Sequence, residues 1–401
     1  MIRSSGNYRK WRTMLAKYPI WSMNREVQKK GVMMSENKHE TVLAICYDFD
    51  KTLTPDDMQA QGYIQSVGAD VSAFWAASNG MAKEKEMDQN LAYMLEMKNE
   101  AEGHIVFTRQ KLKEYGEKIR LFPGVKDWFE RTRRYGEKYG VKVEHYIISS
   151  GLKEMIEGTA LAKAGAFERV YASSFHYNDR GVAIWPAQVV NYTNKTQFLF
   201  RISKGCLDIN DDRVNDYFPS EKIRVPFRNM VYIGDSDTDI PCMKLVNQNG
   251  GYSIGVFNPA GGALAKDKVY KMLRERRIAY FCPADYSRKK PLDELLKNII
   301  RLTAVRSKVE SVNLQCRDEA CQNKRDIELA NVVEGLATVV KNANIDWNGL
   351  MGNPDLLLKA IGTPNDLPNG HFHQAIYNQI GTLTDVLRSD ERTSTGTAPS
   401  V

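Results

Sequence analysis

The stretch that decides the fold is "VLAICYDFDKTLTPDD", residues 42–57, in which an apolar run ends on a cluster of acids. Alternate side chains of an extended strand point the same way, so Asp48 and Asp50 are expected to face one side together. Carboxylates this close repel each other unless a cation joins them. Oxygen ligands of this kind suit Mg²⁺. The stretch therefore predicts a buried strand whose carboxyl end carries a cation site.

Five further apolar runs predict strands, and helical stretches separate them. Several are continuous apolar runs, as is typical of parallel strands that are covered on both faces. Alternating strands and helices predict an α/β fold with a doubly wound, mostly parallel, Rossmann-like sheet. The predicted strands are 42–47, 144–148, 169–172, 230–233, 252–256 and 278–282.

Polar clusters follow three of these strands, where an open sheet of this kind binds its ligands. They are "DFDKT" after the first strand, "SSG" (Ser149–Gly151) and "GDSDTD" (Gly234–Asp239). In this arrangement Asp48 is a candidate nucleophile, and Asp50 is a candidate acid that protonates a leaving oxygen and then deprotonates water. The expected Mg²⁺ ligands are Asp48, Asp50, Asp235 and Asp239.

A phosphoryl group in transfer needs its oxygens stabilised, and hydroxyls, backbone N–H groups and a lysine can do this. The candidate phosphate-binding residues are Thr52, Ser149, Ser150, Gly151 and a lysine of "NKTQFLFRISKG". That lysine is Lys195, which opens an apolar helical run, or alternatively Lys204.

These motifs, in this order, resemble those of the haloacid dehalogenase-like (HAD) phosphohydrolases. Residues 48–54 resemble the DxDx[TV]L first motif, and Ile147-Ile148-Ser149 is similar to the second, a hydrophobic run that ends in Ser or Thr. Lys195 resembles the third motif and residues 234–239 the fourth, GDxxxD. The similarity covers about residues 40–300. The helical insert, "FPGV" and "YASSFHYNDRG" look most like the phosphoserine phosphatase-like branch.

The resemblance implies phosphate ester hydrolysis through an aspartyl-phosphate on Asp48, with Asp50 as general acid and base. It implies that Mg²⁺ is held by Asp48, the Asp50 carbonyl and Asp235, with Asp239 in or just behind the metal shell. Ser149 and Lys195 would bind the phosphate. The second aspartate matters, because dehalogenases lack it and the similar transport ATPases carry threonine there.

The length of 401 residues allows several domains. We expect a catalytic core at 37–55 and 119–304, a helical cap at 56–118 and a carboxy-terminal helical module at 305–390, through which the chain can form a homo-oligomer. The tail 391–401 is expected to be disordered. No apolar run reaches the length of a membrane-spanning helix.

The net charge of +7 lies in the first 32 residues, which hold eight basic residues and one acid; this leaves 48 basic and 48 acidic residues elsewhere. Nucleic acid is therefore not the expected partner. Residues 1–36 read as a basic extension, either disordered or a non-native start, with a functional basic arm or an organelle transit peptide as alternatives.

The six cysteines have no framework spacing, which favours reduced thiols in the cytoplasm. The sequence thus predicts a Mg²⁺-dependent phosphatase acting on a phosphorylated small molecule. One alternative is a nucleotide or nucleic-acid end phosphatase that uses the basic arm. Another is a non-catalytic regulatory protein with a vestigial site.

Overall fold

The computed structural model describes residues 40–343, with side chains as far as residue 324 apart from Glu221 and Ala263. Its strands are β1 Thr41–Tyr47, β2 Val141–Leu152, β3 Arg169–Tyr177, β4 Ala183–Gln188, β5 Met230–Gly234, β6 Tyr252–Phe257 and β7 Tyr280–Pro283. They form one sheet in the order β4-β3-β2-β1-β5-β6-β7. All neighbours in this part of the chain pair in parallel except β3 and β4. The predicted doubly wound, mostly parallel α/β sheet is confirmed.

Eleven α-helices flank or extend this sheet in the described residues. They are α1 Tyr63–Ser66, α2 Val71–Glu84, α3 Gln89–Ala101, α4 Arg109–Glu117, α5 Val125–Glu137, α6 Lys153–Gly158, α7 Ala160–Lys163, α8 Thr196–Lys204, α9 Ile240–Gln248, α10 Gly262–Arg274 and α11 Pro291–Ala343. Short polar side chains begin several of them. Asp70 accepts a hydrogen bond from the Ala73 N–H at 2.9 Å ahead of α2, and Asp88 accepts one from the Asn90 N–H at 2.8 Å ahead of α3.

The central strand β1 is covered on both faces, which explains its unbroken apolar sequence. Leu43, Ile45 and Tyr47 pack into one hydrophobic cluster. Val42, Ala44 and Cys46 pack into a second cluster on the other face. Because β1 lies between β2 and β5, residues at its carboxyl end are surrounded by the ends of two neighbouring strands.

The segment between β1 and α5 carries α1–α4, the helices in the region predicted as a cap. Its ends meet where the Phe122 N–H donates to the Leu53 carbonyl at 2.9 Å. The last of these helices, α4, lies against α6 at a close approach of Gly116 and Gly158. A Cβ on either glycine would overlap backbone atoms of the other helix, so glycine is required at both positions. The residue boundaries of the predicted domains stay predictions.

Two sequence predictions differ from the structure. The edge strand β4 was not predicted, because Pro186 interrupts its pattern, and an edge strand tolerates proline where a central one does not. Apolar residues at helical spacing also predict one helix at 291–302 and a further helix at 329–340, whereas α11 is continuous from Pro291 to Ala343. No proline follows Pro291 within it to end the helix.

The compact unit that contains the sheet ends at Ser307, and the residues after it form a second unit. The predicted basic extension 1–36 and the predicted tail 391–401 lie outside the described residues. Of the predicted module 305–390, only the part within α11 is described. Within the described chain, no helix combines the length and apolarity that crossing a bilayer requires.

A chain of buried hydrogen bonds fixes α5 against the sheet. The Trp128 Nε1–H donates to the Tyr47 hydroxyl at 2.8 Å, and that hydroxyl lies 3.0 Å from His145 Nδ1. Nε2 of His145 lies 3.2 Å from Thr132 Oγ1, which itself donates to the Trp128 carbonyl at 2.9 Å. This series of hydrogen bonds is complete when the His145 imidazole is neutral, with Nδ1 accepting a hydrogen bond and Nε2 donating one. Burial lowers the pKa of His145 to about 3.

We expect acid to destabilise the protein through this histidine. The folded pKa lies below the unfolded value of 6.5, so the unfolded chain binds the extra proton between these two values. The contribution of His145 to the free energy of unfolding is complete above pH 6.5. It is lost as the pH falls towards 3, by about 2 kcal/mol over the first two pH units below 6.5. Urea unfolding of wild type and His145→Gln across this range measures it, and the difference in unfolding free energy should shrink as the pH falls.

The control is His176→Gln, because His176 is exposed on β3. This variant controls for the loss of a histidine without the loss of the buried hydrogen bonds. A constant difference between wild type and His145→Gln across this pH range would contradict the assignment of a neutral buried imidazole.

Candidate active site

The carboxyl ends of β1, β2 and β5 bring the predicted polar clusters together. Asp48 follows β1 directly, and its N–H donates to the Ile233 carbonyl of β5 at 2.9 Å. Ser149 and Ser150 lie near the carboxyl end of β2, and Asp235 follows β5. All four residues line one cleft of about 260 Å³. The sequence predicted this meeting of strand ends, and the structure has it.

Three aspartates converge at the base of this cleft. One carboxylate oxygen each from Asp48, Asp235 and Asp239 lies within 4.8 Å of the others, a spacing at which they could hold a metal ion. Asp48 and Asp239 are buried. Three oxygen donors and no sulfur or nitrogen donor suit a hard cation such as Mg²⁺. The residues present therefore fit the predicted cation.

Lys195 is the lysine that reaches the aspartates. Its Nζ is fully buried, 3.2 Å from Asp48 Oδ1 and 2.8 Å from Asp239 Oδ1. The alternative, Lys204, lies at the other end of α8, where its Nζ donates to the carbonyls of Val214 and Asp216 at 2.6 Å each. Only Lys195 of these two candidates is therefore brought to the site.

Both carboxylate oxygens of Asp239 accept hydrogen bonds. Oδ1 accepts hydrogen bonds from Lys195 Nζ at 2.8 Å and from the Tyr232 hydroxyl at 2.9 Å. Oδ2 accepts from the N–H of Ser236 at 3.0 Å and from its hydroxyl at 2.8 Å. Four donors fill the roughly four acceptor positions of a carboxylate. This arrangement suits a residue that positions Lys195 and the 235–239 loop more than one that ligates a cation directly.

Asp50 lies beside Asp48 on the wall of the cleft. Its Oδ1 accepts a hydrogen bond from the Met58 N–H at 2.8 Å. A Cβ on Gly151 would lie 2.8 Å from the other oxygen, Oδ2, and would also overlap the Met58 side chain. Glycine at 151 therefore leaves space around the Asp50 carboxylate, which is a steric role that the sequence did not reveal.

Burial and mutual repulsion raise the pKa values of the acids at this cleft. Burial, and then the charge of Asp239, raise the pKa of Asp48 to about 6, although Lys195 lowers it. Burial, with Asp57 and Asp48, raises the pKa of Asp50 well above its ordinary value. Burial, with Asp48 and Asp239, raises the pKa of Asp235 to about 8. Excess negative charge of this kind at a cleft is typical of a site that takes up a cation.

The pKa of Lys195 is raised as well, which for a lysine favours the charged form. Burial alone would lower the pKa of Lys195, but Asp239 and Asp48 raise it above the ordinary lysine value. Lys195 is therefore a permanent positive charge at neutral pH, next to the oxygen of the predicted nucleophile.

The predicted phosphate-binding residues divide into two groups. Ser149, Ser150 and Gly151 line the cleft, and the Ser149 hydroxyl accepts a hydrogen bond from the Gly151 N–H at 3.1 Å. The Thr52 hydroxyl instead donates to Asp235 Oδ1 at 3.3 Å, and Thr52 is not on the cleft wall. Its predicted contact with phosphate stays a prediction.

The remaining lining residues were not predicted from the sequence. The cap region contributes four uncharged side chains, those of Gln59, Trp75, Asn90 and Tyr93, which we call the cap wall. Charged groups come from Lys51, Asp57 and, on α10, Lys268. Lys51 lies within the first motif and Asp57 just after it, whereas the cap wall and Lys268 belong to helices or turns that have no motif of their own.

Tyr286 supports the site through Thr52. It is fully buried, its hydroxyl donates to the Thr52 carbonyl at 2.9 Å, and Thr52 in turn holds Asp235. Its ring packs edge-on against Trp128 with centroids 5.1 Å apart.

Replacing Tyr286 by phenylalanine is expected to lower the free energy of unfolding by about 1–2 kcal/mol, because the Thr52 carbonyl loses its donor. Since Thr52 supports Asp235, Mg²⁺ affinity should fall severalfold as well. Urea unfolding and calorimetric Mg²⁺ titration measure the two effects. The partly exposed Tyr139→Phe is the control and should change neither. Unchanged Mg²⁺ affinity in Tyr286→Phe would contradict its supporting role.

The motifs and their geometry agree with the comparison to known families. Residues 45–244 match the model of the haloacid dehalogenase-like hydrolases, and the chain belongs to this family. An uncharacterised protein of Borreliella burgdorferi is 26% identical over 279 residues, which cover 63% of this chain and 94% of that protein.

Solved structures of similar fold include phosphatases. A HAD family hydrolase from Salmonella enterica has a TM-score of 0.42 and 16% identity, over 71% of this chain and 82% of its own. A probable phosphoserine phosphatase from Vibrio cholerae has a TM-score of 0.41 and 14% identity, over 68% of each chain. At these values the likeness says nothing about the substrate.

Proposed function

We propose that this chain is a Mg²⁺-dependent phosphatase that hydrolyses a phosphate monoester of a small metabolite. The observation that carries the proposal is the position of Asp48 and Asp50 on one cleft, with Lys195 bound to Asp48 and with Asp235 beside it. This set provides a nucleophile, a proton donor, a fixed positive charge and oxygen ligands for a cation in one place. The proposed compartment is the cytoplasm.

In the first step an Asp48 oxygen attacks phosphorus, and the bond from phosphorus to the leaving oxygen breaks. The leaving oxygen takes the proton that Asp50 carries. Burial and the neighbouring charges of Asp57 and Asp48 raise the pKa of Asp50, which favours the protonated form that this step needs. The product of the step is an acyl phosphate on Asp48 and a free alcohol.

In the second step Asp50, now ionised, removes a proton from water while the water oxygen attacks phosphorus. The bond from phosphorus to Asp48 breaks, which releases inorganic phosphate and restores both carboxyl groups. Lys195 and the Ser149–Gly151 segment are placed to bind the phosphate oxygens through both steps. Lys195 also holds Asp48 in position through its contact at 3.2 Å.

Mg²⁺ would be held by Asp48, Asp235 and the Asp50 carbonyl, with Asp239 behind them as the partner of Lys195. The bound cation supplies positive charge to the carboxylates and to the phosphate oxygens. The substrate is small in this proposal, because a cleft of about 260 Å³ lies just below the roughly 300–1,000 Å³ of ligand pockets in general.

Hydrolysis of a generic aryl phosphate tests the proposal. Activity should disappear on chelation and return with Mg²⁺ but not with Ca²⁺, which prefers more ligands at longer distances. Turnover that survives chelation would contradict the metal requirement. No turnover together with no Mg²⁺ binding by calorimetry would favour the non-catalytic regulatory alternative.

A further inference from the structure

Two polar atoms of cleft-lining residues have no hydrogen-bond partner within the described residues. The Trp75 Nε1–H and the Ser150 hydroxyl are both shielded from solvent and unpaired. Trp75 belongs to the cap wall and Ser150 to the end of β2. A buried donor without an acceptor is unfavourable, so a ligand that provides the acceptor gains affinity. The pair therefore indicates that the substrate brings hydrogen-bonding oxygens beyond those of its phosphate.

The amides of the cap wall add further unpaired groups. Asn90 donates from Nδ2 to the Val190 carbonyl at 2.7 Å, and within the described residues its Oδ1 accepts nothing. The Gln59 side chain lies on the cleft wall and makes no hydrogen bond within that same part of the chain. Asn90 thus offers an acceptor, whereas Gln59 offers an acceptor and donors. Hydroxyl groups, which both donate and accept, match this mixture.

No member of the cap wall is charged. Of the other charged lining residues, Asp57 is bound by Lys51 at 2.6 Å, and Lys268 belongs to α10 and not to the cap region. An amino-acid leaving group carries an ammonium and a carboxylate, each of which needs an opposite charge or several hydrogen bonds when it is buried. The cap wall provides no such pair of charges. It does provide apolar surface, since Trp75 and Tyr93 pack with ring centroids 6.1 Å apart.

We infer that the cap wall recognises an uncharged leaving group rich in hydroxyls, of the sugar or polyol type, and that the Trp75 Nε1–H binds one of its oxygens. The inference rests on the proposed function and specifies its substrate class. An unsubstituted sugar or polyol phosphate has a single anionic group, which the aspartate and lysine end of the cleft accommodates. Its carbon skeleton packs on the two aromatic rings, and its hydroxyls meet the amides.

A substrate panel tests the class. Glucose 6-phosphate and glycerol 3-phosphate are the two substrates whose leaving groups are uncharged. O-phosphoserine is the substrate whose leaving group is a zwitterion, and a generic aryl phosphate is the reference. The value of kcat/KM for the better of the first two should exceed that for O-phosphoserine at least about tenfold, the effect of one well-placed hydrogen bond. A preference for O-phosphoserine, or no preference, would overturn the inference.

Trp75→Phe tests the residue, because it keeps the ring and removes the N–H. For the preferred sugar or polyol phosphate, KM should rise about tenfold with kcat nearly unchanged, since the lost bond lies in the bound ground state and the transition state alike. KM for the aryl phosphate should stay within about twofold, since its leaving group offers no matching hydroxyl. Equal changes for both substrates would overturn the assignment. Trp185→Phe is the matched control, since Trp185 is 70% exposed and is not on the cleft wall.

Binding separates this inference from the proposed function. If no phosphate ester in the panel is hydrolysed, the proposed function fails, and calorimetric binding of the same probes still decides the substrate class. Tighter binding of the sugar or polyol phosphate than of O-phosphoserine, weakened by Trp75→Phe, supports the inference. Equal or absent binding overturns it.

Discussion

Replacing Asp48 by asparagine is expected to lower kcat for an aryl phosphate by at least about 10³-fold, since an amide is a far weaker nucleophile than a carboxylate. Asparagine has almost the same shape, and its carbonyl oxygen can still accept the hydrogen bond from Lys195. The free energy of unfolding should therefore change much less than the activity. Steady-state kinetics and urea unfolding of the same preparation measure both.

The matched control is Asp237→Asn, which removes an acid from the neighbouring 235–239 loop. Asp237 is exposed and does not line the cleft, so kcat should stay within about twofold of wild type. Residual activity of a few per cent or more in Asp48→Asn would contradict the assignment of Asp48 as nucleophile. An equal loss in the two variants would indicate that total charge matters more than position.

Replacing Lys195 by methionine is expected to lower the free energy of unfolding by about 3–5 kcal/mol, because two buried carboxylates lose their common partner. Methionine has a similar length, so the loss reflects charge more than volume. Activity should fall as well, since both Asp48 and the phosphate oxygens lose the ammonium. Urea unfolding, with Mg²⁺ absent and then present, measures the loss of stability. Hydrolysis of an aryl phosphate measures the loss of activity.

Lys204→Met is the control for this second prediction, because Lys204 donates to two backbone carbonyls, lies over the Phe218 ring and does not line the cleft. It should retain wild-type activity. Adding Asp239→Asn to Lys195→Met should recover part of the stability, since one of the uncompensated charges is removed, but should not recover activity. If Lys204→Met were the inactive variant, the assignment of Lys195 to the site would be wrong.

The residues at the strand ends were predictable, because a buried parallel strand is a continuous apolar run and the polar residues that follow it mark its end. The apolar run 42–47 followed by Asp48 and Asp50, together with the GDxxxD motif, located the catalytic side of the sheet. Family membership followed from the same motifs. The choice between Lys195 and Lys204 was not settled by sequence, since both lie in one short helical stretch, and the two ends of α8 are separated only by the fold.

The cap wall and Tyr286 could not be predicted from the sequence. Gln59 lies in a turn, Trp75 on α2, and Asn90 and Tyr93 on α3, and no sequence spacing relates these three elements until the cap region packs over the strand ends. Tyr286 follows β7, well beyond the matched family region 45–244, and reaches Thr52 through a contact that spans 234 residues of sequence. Local pattern identifies residues next to a strand end, and it does not identify those brought in by packing.

The central claim is a phosphoryl group carried covalently on Asp48, and trapping it is the most direct test. The Asp50→Asn variant lacks the base for the second step, and an aryl phosphate with a good leaving group needs little acid in the first, so the intermediate should accumulate. After an acid quench and proteolysis, mass spectrometry should find the phosphoryl group on the peptide that carries Asp48, and none in Asp48→Asn. Phosphate on another residue, or full release of product with no phosphorylated enzyme at any time, would contradict the account.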